Sequence, residues 1–455
     1  MKRIRVFHPV LFAIYPVLFL FSINIREVFL KEIFAPLLVS LSIMVVIWGL
    51  FLLFFKNADK SGILATTFLL FFFFYGHIYN LVKTLFIPEF FFPIWCVLFL
   101  ITLIFLMFKL KKREYKATKV LNFISSILIV IVLFNIILFA LKDKSLNISV
   151  SHQQPTRSLS HESTNFPDIY YLIPDGYTSF HGLKKYFNFD NAEFLKFLKD
   201  KGFFVAPKST CNFMQTYTSL ASVLNLKYIN HLKNEMGANS QNVRFLYEMV
   251  RNNYLFKLLK QKGYRTIHLG CGKGESMNNP YADLDFRFAD MSEFMMFLLQ
   301  TSMLRPFENR FIDDIKRVRM QFDKAKQLIS MSDKPKIMFI HFLLPHPPLA
   351  VDRNGNRLPK YDHRILGSDW LPRDRYVEQT LYTNKLMTEF IDQVLKKSKR
   401  KPVIVLLGDH GPYINTEGKN KFIDQRIGIL NAVYMPDFSG TKFHDTITAL
   451  NTMRE

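Results

Sequence analysis

Five apolar stretches, residues 6–24, 33–55, 63–86, 90–108 and 120–141, fill the first third of this 455-residue chain. A helix needs about 20 predominantly apolar residues to cross a bilayer, and each stretch comes near that length. Residues 1–143 are therefore expected to form an all-α transmembrane bundle of about five helices. The 48 Phe and the 49% hydrophobic fraction reflect this concentration. The first stretch does not read as a cleaved signal peptide, because no small-x-small site follows it and four more spans come after. His77 and Asn80 fall in the third stretch. Hydrogen bonding between helices, or an interfacial position, is the ordinary reading of such residues.

Loop charges set an expected orientation. Lys2, Arg3 and Arg5 open the chain, Lys56 and Lys60 follow the second stretch, and Lys109, Lys111, Lys112, Arg113, Lys116 and Lys119 follow the fourth. The loops at 26–32 and 87–89 carry less positive charge. The positive-inside rule places the first group inside, and an odd number of spans then puts everything after residue 141 outside. The net charge of +22 is shared between the two parts, with sixteen basic against six acidic residues before position 150. Such a surface suits anionic lipid headgroups or an anionic substrate. No nucleic-acid-binding motif is present, so nucleic acid is not an expected partner. Of the three cysteines, Cys96 lies in an apolar run, while Cys211 and Cys271 fall in the later part, where an oxidising compartment would permit a disulfide.

Residues 144–166, rich in Ser, His, Asn and Gln, read as a tether. From 167 to 455 the pattern changes to short apolar runs at 169–173, 203–206, 265–269, 336–343 and 402–407. Amphipathic stretches at 191–201, 243–262, 309–332 and 375–397 alternate with them. This alternation predicts an α/β domain with a mainly parallel sheet covered by helices on both faces. Ligand sites in such sheets gather beyond the carboxyl ends of the strands.

Three strand ends carry suitable chemistry. Asp175-Gly176 follows the first run, Asp409-His410-Gly411 follows the last, and His346 stands in the loop beyond 336–343. Carboxylate oxygen with imidazole nitrogen suits Zn²⁺ or Mn²⁺. Taken singly, an Asp-Gly is more often a turn. A hydroxyl-rich segment, Thr216-Tyr217-Thr218-Ser219, precedes Leu220, Val223 and Leu224 and reads as a helix start. A hydroxyl there faces the positive end of the helix dipole, where an anion is favoured; capping is the plainer alternative.

Asp175-Gly176 after a strand, a Thr opening a helix about forty residues on, a strand-borne His-Pro-Pro and a late Gly-Asp-His-Gly together resemble the alkaline phosphatase superfamily. The nearest branch is the membrane-bound sulfatase-like proteins, which include lipoteichoic acid synthase and the lipid A phosphoethanolamine transferases. The resemblance covers roughly residue 167 to the end, and Gln379, Tyr382 and Asn384 lie on a helix similar to the one that precedes the last ligand strand in that branch. It implies that Asp175, Thr216, Asp409 and His410 hold one divalent metal, Zn²⁺ or Mn²⁺ with Mg²⁺ or Ca²⁺ as alternatives. It also implies Thr216 as nucleophile, His346 acting on the phosphoryl group or the leaving oxygen, and Ser219 and Asn384 in substrate binding. The spacing of Ser219, three after Thr216, favours Thr216 over Thr218.

The transferase branch usually has Glu where this chain has Asp175. A second metal is left open, with His341, His268 and His181 as loose candidates. The sequence also stops somewhat early for the fold, so a truncated chain or short last elements are expected. The implied enzyme lies in a bacterial inner membrane with its catalytic domain outside, using a phospholipid donor and an envelope glycan or lipid acceptor through a phospho-threonine. A phosphodiesterase, phosphatase or sulfatase-like hydrolase, and a non-catalytic binding protein, are the alternatives. A formylglycine sulfatase needs Cys or Ser within Cys-x-Pro-Ser-Arg, whereas Cys211 is followed by Asn-Phe-Met-Gln.

Overall fold

The computed structural model describes residues 5–82, 88–110, 114–143, 166–237, 240–272, 274–288, 291–310, 313–331, 333–359, 370–414, 419–435, 444 and 446–454. The expected tether at 144–166 lies almost wholly outside the described residues. The chain forms two compact units: Met1–Asn147 with Met291–Ile312, and Ile148–Asp290 with Asp313–Glu455.

The helical unit contains α1 (His8–Ile23), α2 (Phe34–Phe55), α3 (Ala58–Val82), α4 (Pro88–Lys109) and α5 (Glu114–Lys142). Four of these helices are long and apolar enough to cross a membrane. The exception, α1, has 16 residues; it is about 24 Å long, short of a hydrocarbon core of about 30 Å. Polar side chains inside the unit are spent on stitching helices together, as expected where water is absent. Asn122 of α5 accepts from the His8 backbone N–H at 2.9 Å and donates to the Arg5 carbonyl at 2.9 Å, capping the start of α1. The His8 ring meets the Thr66 hydroxyl at 2.6 Å. His77 packs edge-on to Phe19 at 6.3 Å, in line with a packing role.

One boundary differs from the expected 167–455 domain, because Met291–Ile312 belongs to the helical unit. The cause is local. The helix Glu293–Thr301 reads EFMMFLLQT, and its Phe294 and Leu298 join the buried cluster of Phe12, Leu20, Leu69 and Phe73.

The second unit is built on β1 (Asp168–Pro174), β2 (Phe204–Val205), β3 (Lys208–Thr210), β4 (Arg265–Leu269), β5 (Leu284–Phe286), β6 (Lys336–Phe342), β7 (Pro402–Leu407), β8 (Asn431–Tyr434) and β9 (Thr446–Thr448). Seven strands form one sheet in the order β2-β8-β7-β1-β6-β4-β5, while β3 and β9 pair separately. From β7 to β5 the pairing is parallel; β8 runs antiparallel to β7 and to β2. Successive side chains on a strand point to opposite faces, so a strand apolar throughout needs cover on both. Tyr170, Leu172, Met338, Ile340 and Leu406 pack with Phe322, Tyr376 and Phe390 on one face. Tyr171, Ile173, Ile337, Phe339 and Leu407 pack with Leu220, Met249 and Phe256 on the other.

The expected 243–262 stretch forms two helices, Arg244–Arg251 and Tyr254–Gln261. It breaks where Asn253 caps the second by accepting from the Phe256 N–H. At the far end of the sheet from the site, Lys336 is buried with Asp168. Its ammonium donates to Asp168 at 2.6 Å and to the Ile329 and Met331 carbonyls at 2.9 and 2.7 Å. Removing one partner of a buried pair costs about 3–5 kcal/mol. Asp168→Ala is thus expected to lower the thermal unfolding midpoint of the α/β unit by several degrees, read by circular dichroism in detergent. An unchanged midpoint would show that the pair contributes nothing.

Candidate metal centre

Neighbouring strands deliver the donors. β7, β1 and β6 lie side by side, with Ile173 opposite His341 and Leu172 opposite Leu406. Asp175 follows the tip of β1, Asp409 and His410 follow β7, and His341 is the penultimate residue of β6. Asp175, His341 and Asp409 are all buried, and one ligand atom of each lies within 4.8 Å of the others. His410 completes the group, its Nε2 3.7 Å from Asp175 and 3.5 Å from Asp409.

These separations suit a shared cation better than direct hydrogen bonds. Asp175 Oδ1, Asp409 Oδ2 and His341 Nε2 are buried and make no hydrogen bond in this structure. His341 Nε2 stands 3.6 Å from the Asp175 carboxylate. Two ligands each about 2.0–2.1 Å from a tetrahedral ion are roughly 3.3–3.4 Å apart, close to what is seen. Buried polar atoms without partners are costly, and one divalent cation would satisfy all three.

The imidazoles are oriented from behind. His410 Nδ1 donates to the Gly411 carbonyl at 2.9 Å, which turns the Nε2 lone pair toward the carboxylates. His341 Nδ1 meets the Ser276 hydroxyl at 2.6 Å, and that hydroxyl also contacts Cys271 Sγ at 3.2 Å. Burial works to lower the pKa of both rings. It prevails at His410, whereas Cys271 and Asp175 carry His341 well above its usual value. Burial also works against the Asp175 carboxylate, but His346, His341 and His410 together hold its pKa far below the usual range.

Thr216 is the first residue of the helix Thr216–Leu224, and its hydroxyl lies 3.2 Å from His410 Nε2. Thr218 turns its hydroxyl back to donate to the Gln215 carbonyl at 2.9 Å. The two threonines therefore differ in their surroundings, Thr216 beside His410 and Thr218 turned back on its own helix start. Arg426 ties the two segments together. It donates to the Met214 carbonyl at 2.6 and 3.1 Å and to the Gly411 carbonyl at 2.9 Å. Glycine is required at the β1 turn. Gly176 adopts φ +72, a Cβ there would stand 2.3 Å from the Trp370 ring, and its N–H donates to Asp409 at 2.9 Å.

The other expected residues divide. His346 is half-buried beside the centre, its ring 6.2 Å from that of His410 and 4.9 Å from Trp370, with Nδ1 donating to the Pro347 carbonyl. Ser219 is buried one turn beyond Thr216. Asn384, expected in substrate binding, hydrogen-bonds within the protein through both ends of its amide. It accepts from the Tyr177 hydroxyl at 2.6 Å and donates to Asn191 at 2.8 Å. Gln379 donates to the His346 carbonyl at 2.9 Å, fixing that loop.

Of the loose second-metal candidates, His341 joins this first site. His268 is spent on Asp285 at 2.8 Å, and His181 is exposed. Among the described residues, no second group of metal-ligating side chains was found. Cys211 and Cys271 are both free thiols, so the permitted disulfide is absent. Sequence reasoning gave no role to Ser276 or Arg426, whose importance arises only from long-range contacts. A residue that hydrogen-bonds the far ring nitrogen of a metal-binding His typically accounts for 10–100-fold in metal affinity. Ser276→Ala is expected to weaken binding by that order in a competition titration, with the metal-free unfolding midpoint little changed. Unaltered affinity would remove Ser276 from the site.

Known proteins place this architecture. The model of the sulfatase family matches residues 187–448. No curated protein matches the sequence significantly. Solved structures similar to the chain include the C-terminal periplasmic domain of EptC from Escherichia coli, at 14% identity and TM-score 0.40, covering 64% of this chain and 81% of that one. The periplasmic domain of the phosphoethanolamine transferase EptC from Campylobacter jejuni is 12% identical at TM-score 0.39, with coverage of 64% and 87%. An alkaline phosphatase superfamily protein from Vibrio parahaemolyticus is 13% identical at TM-score 0.42, with coverage of 68% and 72%.

Proposed function

Since this chain belongs to the sulfatase family, we propose that it is a metal-dependent phosphotransferase that moves a phospholipid headgroup through a phospho-threonine at Thr216. The observation that carries this reading is the Thr216 hydroxyl, 3.2 Å from His410 at a helix start, beside a buried cluster of unsatisfied carboxylate and imidazole atoms.

Asp175, Asp409, His410 and Thr216 would hold the cation, with His341 as a further ligand. Two carboxylates and two imidazoles favour Zn²⁺, with Mn²⁺ next. When bound, the cation would lower the hydroxyl pKa and neutralise charge on the phosphoryl oxygens. The Thr216 hydroxyl gives its proton to solvent, its Oγ1 attacks the donor phosphorus, and the bond from phosphorus to the diacylglycerol oxygen breaks. His346, half-buried and next to the Trp370 ring, protonates the departing oxygen. The backbone N–H groups at the start of the Thr216–Leu224 helix favour the phosphoryl charge. An acceptor hydroxyl on an envelope glycan or lipid then gives its proton to His346 and attacks the phosphorus, and the bond from phosphorus to Thr216 Oγ1 breaks. Water in place of that hydroxyl would make the same site a hydrolase.

A formylglycine route is disfavoured. Cys211 lacks the Pro and Arg of the sulfatase motif, lies buried against the Arg426 carbonyl, and has its thiol pushed up to about 12 by burial. The apolar helices support a bacterial inner-membrane location; with α1 and its flanking residues counted as a fifth span, the loop charges favour the α/β unit outside.

Removing a nucleophile typically costs about 10³-fold or more in turnover. Thr216→Ala should therefore abolish diacylglycerol release from phosphatidylethanolamine or phosphatidylglycerol vesicles, while Thr216→Ser keeps measurable release. Undiminished release by the Ala variant would overturn the nucleophile. Release that depends on added acceptor marks a transferase, and release into water alone marks the hydrolase.

A further inference from the structure

The chain leaves the α/β unit at Asp290 and re-enters it at Asp313, and the residues between pack as part of the helical unit. Ser292 caps the helix Glu293–Thr301 by accepting from the Met295 N–H, and Phe294, Leu298 and Leu299 are buried. The segment meets α3 backbone to backbone. The Met303 N–H donates to the Phe72 carbonyl at 2.8 Å, and Arg305 reaches the Gly76 carbonyl at 3.4 Å. A Cβ on Gly76 would stand 2.1 Å from the Gln300 carbonyl oxygen, so only glycine permits the approach. Small residues at such crossings are how membrane helices pack closely.

The level of these contacts along α3 is informative. From Gly76 to the helix end at Val82 is six residues, about 9 Å of helix. Here Tyr75, His77, Tyr79 and Asn80 replace the Phe and Leu run, the composition of a membrane–water interface. Arg305 lies over the Tyr79 ring at 4.5 Å, as a cation held at that interface would. Interfacial helices sit about 5–10 Å into the headgroup and acyl boundary, the same depth. Leu304 and Phe307 remain 38% and 37% exposed, apolar surface that lipid would cover.

We propose that Met291–Ile312 is a second membrane attachment of the α/β unit, a re-entrant segment whose Leu304 and Phe307 sit in lipid at the level of the α3 carboxyl end. The catalytic chain is then held at two places, before residue 167 and again in its middle. Cutting the first should not free it.

The test uses the full chain in proteoliposomes, with a protease site placed between Ser151 and Ser158. After cleavage and a carbonate wash, the fragment carrying residue 455 should stay in the pellet. Adding Phe294→Asp and Leu298→Asp should release it after cleavage, while the uncut variant still pellets. A bimane label at Leu304→Cys, with Cys96, Cys211 and Cys271 replaced by Ala, should be quenched by lipid-borne nitroxide. The same label at Asn354→Cys should be quenched by aqueous iodide instead. Release of the unsubstituted fragment would overturn the proposal, as would retention with position 304 open to iodide and untouched by the lipid quencher.

Discussion

Two carboxylates and two imidazoles held out of water within a few ångströms of one another are the constraint on which the α/β unit depends. Asp175, Asp409, His341 and His410 are each no more than 4% exposed. Like-charged carboxylates in a buried site repel, and their desolvation is expensive, unless a cation or protons offset both. The unpartnered atoms on Asp175, Asp409 and His341 define where that charge belongs. Thr216 derives its proposed role from the same point, since its hydroxyl meets the group through His410.

The surrounding structure keeps that arrangement rigid. Asp409 accepts from the Gly176 N–H, locking the turns after β7 and β1 together. Arg426 bridges the backbone just before Thr216 and just after His410. The helix Arg373–Lys397 buries Tyr376, Gln379 and Asn384 against the Gly176 carbonyl, the His346 loop and Tyr177. Polar residues on that helix are supports, and positioning by fixed dipoles is what transfer chemistry at phosphorus asks of a protein.

Much of this was legible in the sequence where chemistry is local. β4 and β7 begin and end at the expected residues, because continuous apolar runs bounded by polar residues mark central strands. Asp175, Asp409 and His410 were visible as polar residues immediately past strands. The short strands β5, β8 and β9 were not, having three or four residues and no periodicity to read. His341 lies inside an apolar strand, so the sequence marks it only as a loose candidate; the register with β1 brings it to Asp175. The partners of Asn384, Tyr177 and Asn191, are not legible either, since a polar residue on a helix does not reveal what it meets across the fold. The apolar segment at 293–301 is not legible as part of the helical unit, because nine residues are too few to read as a span.

Anomalous X-ray scattering from the zinc-loaded full-length protein addresses the centre most directly. One peak is expected per chain, bounded by Asp175, Asp409, His341 Nε2, His410 Nε2 and Thr216 Oγ1. A cation bound elsewhere, or none retained under zinc saturation while these side chains keep their places, would contradict the metal centre and with it the role given to Thr216.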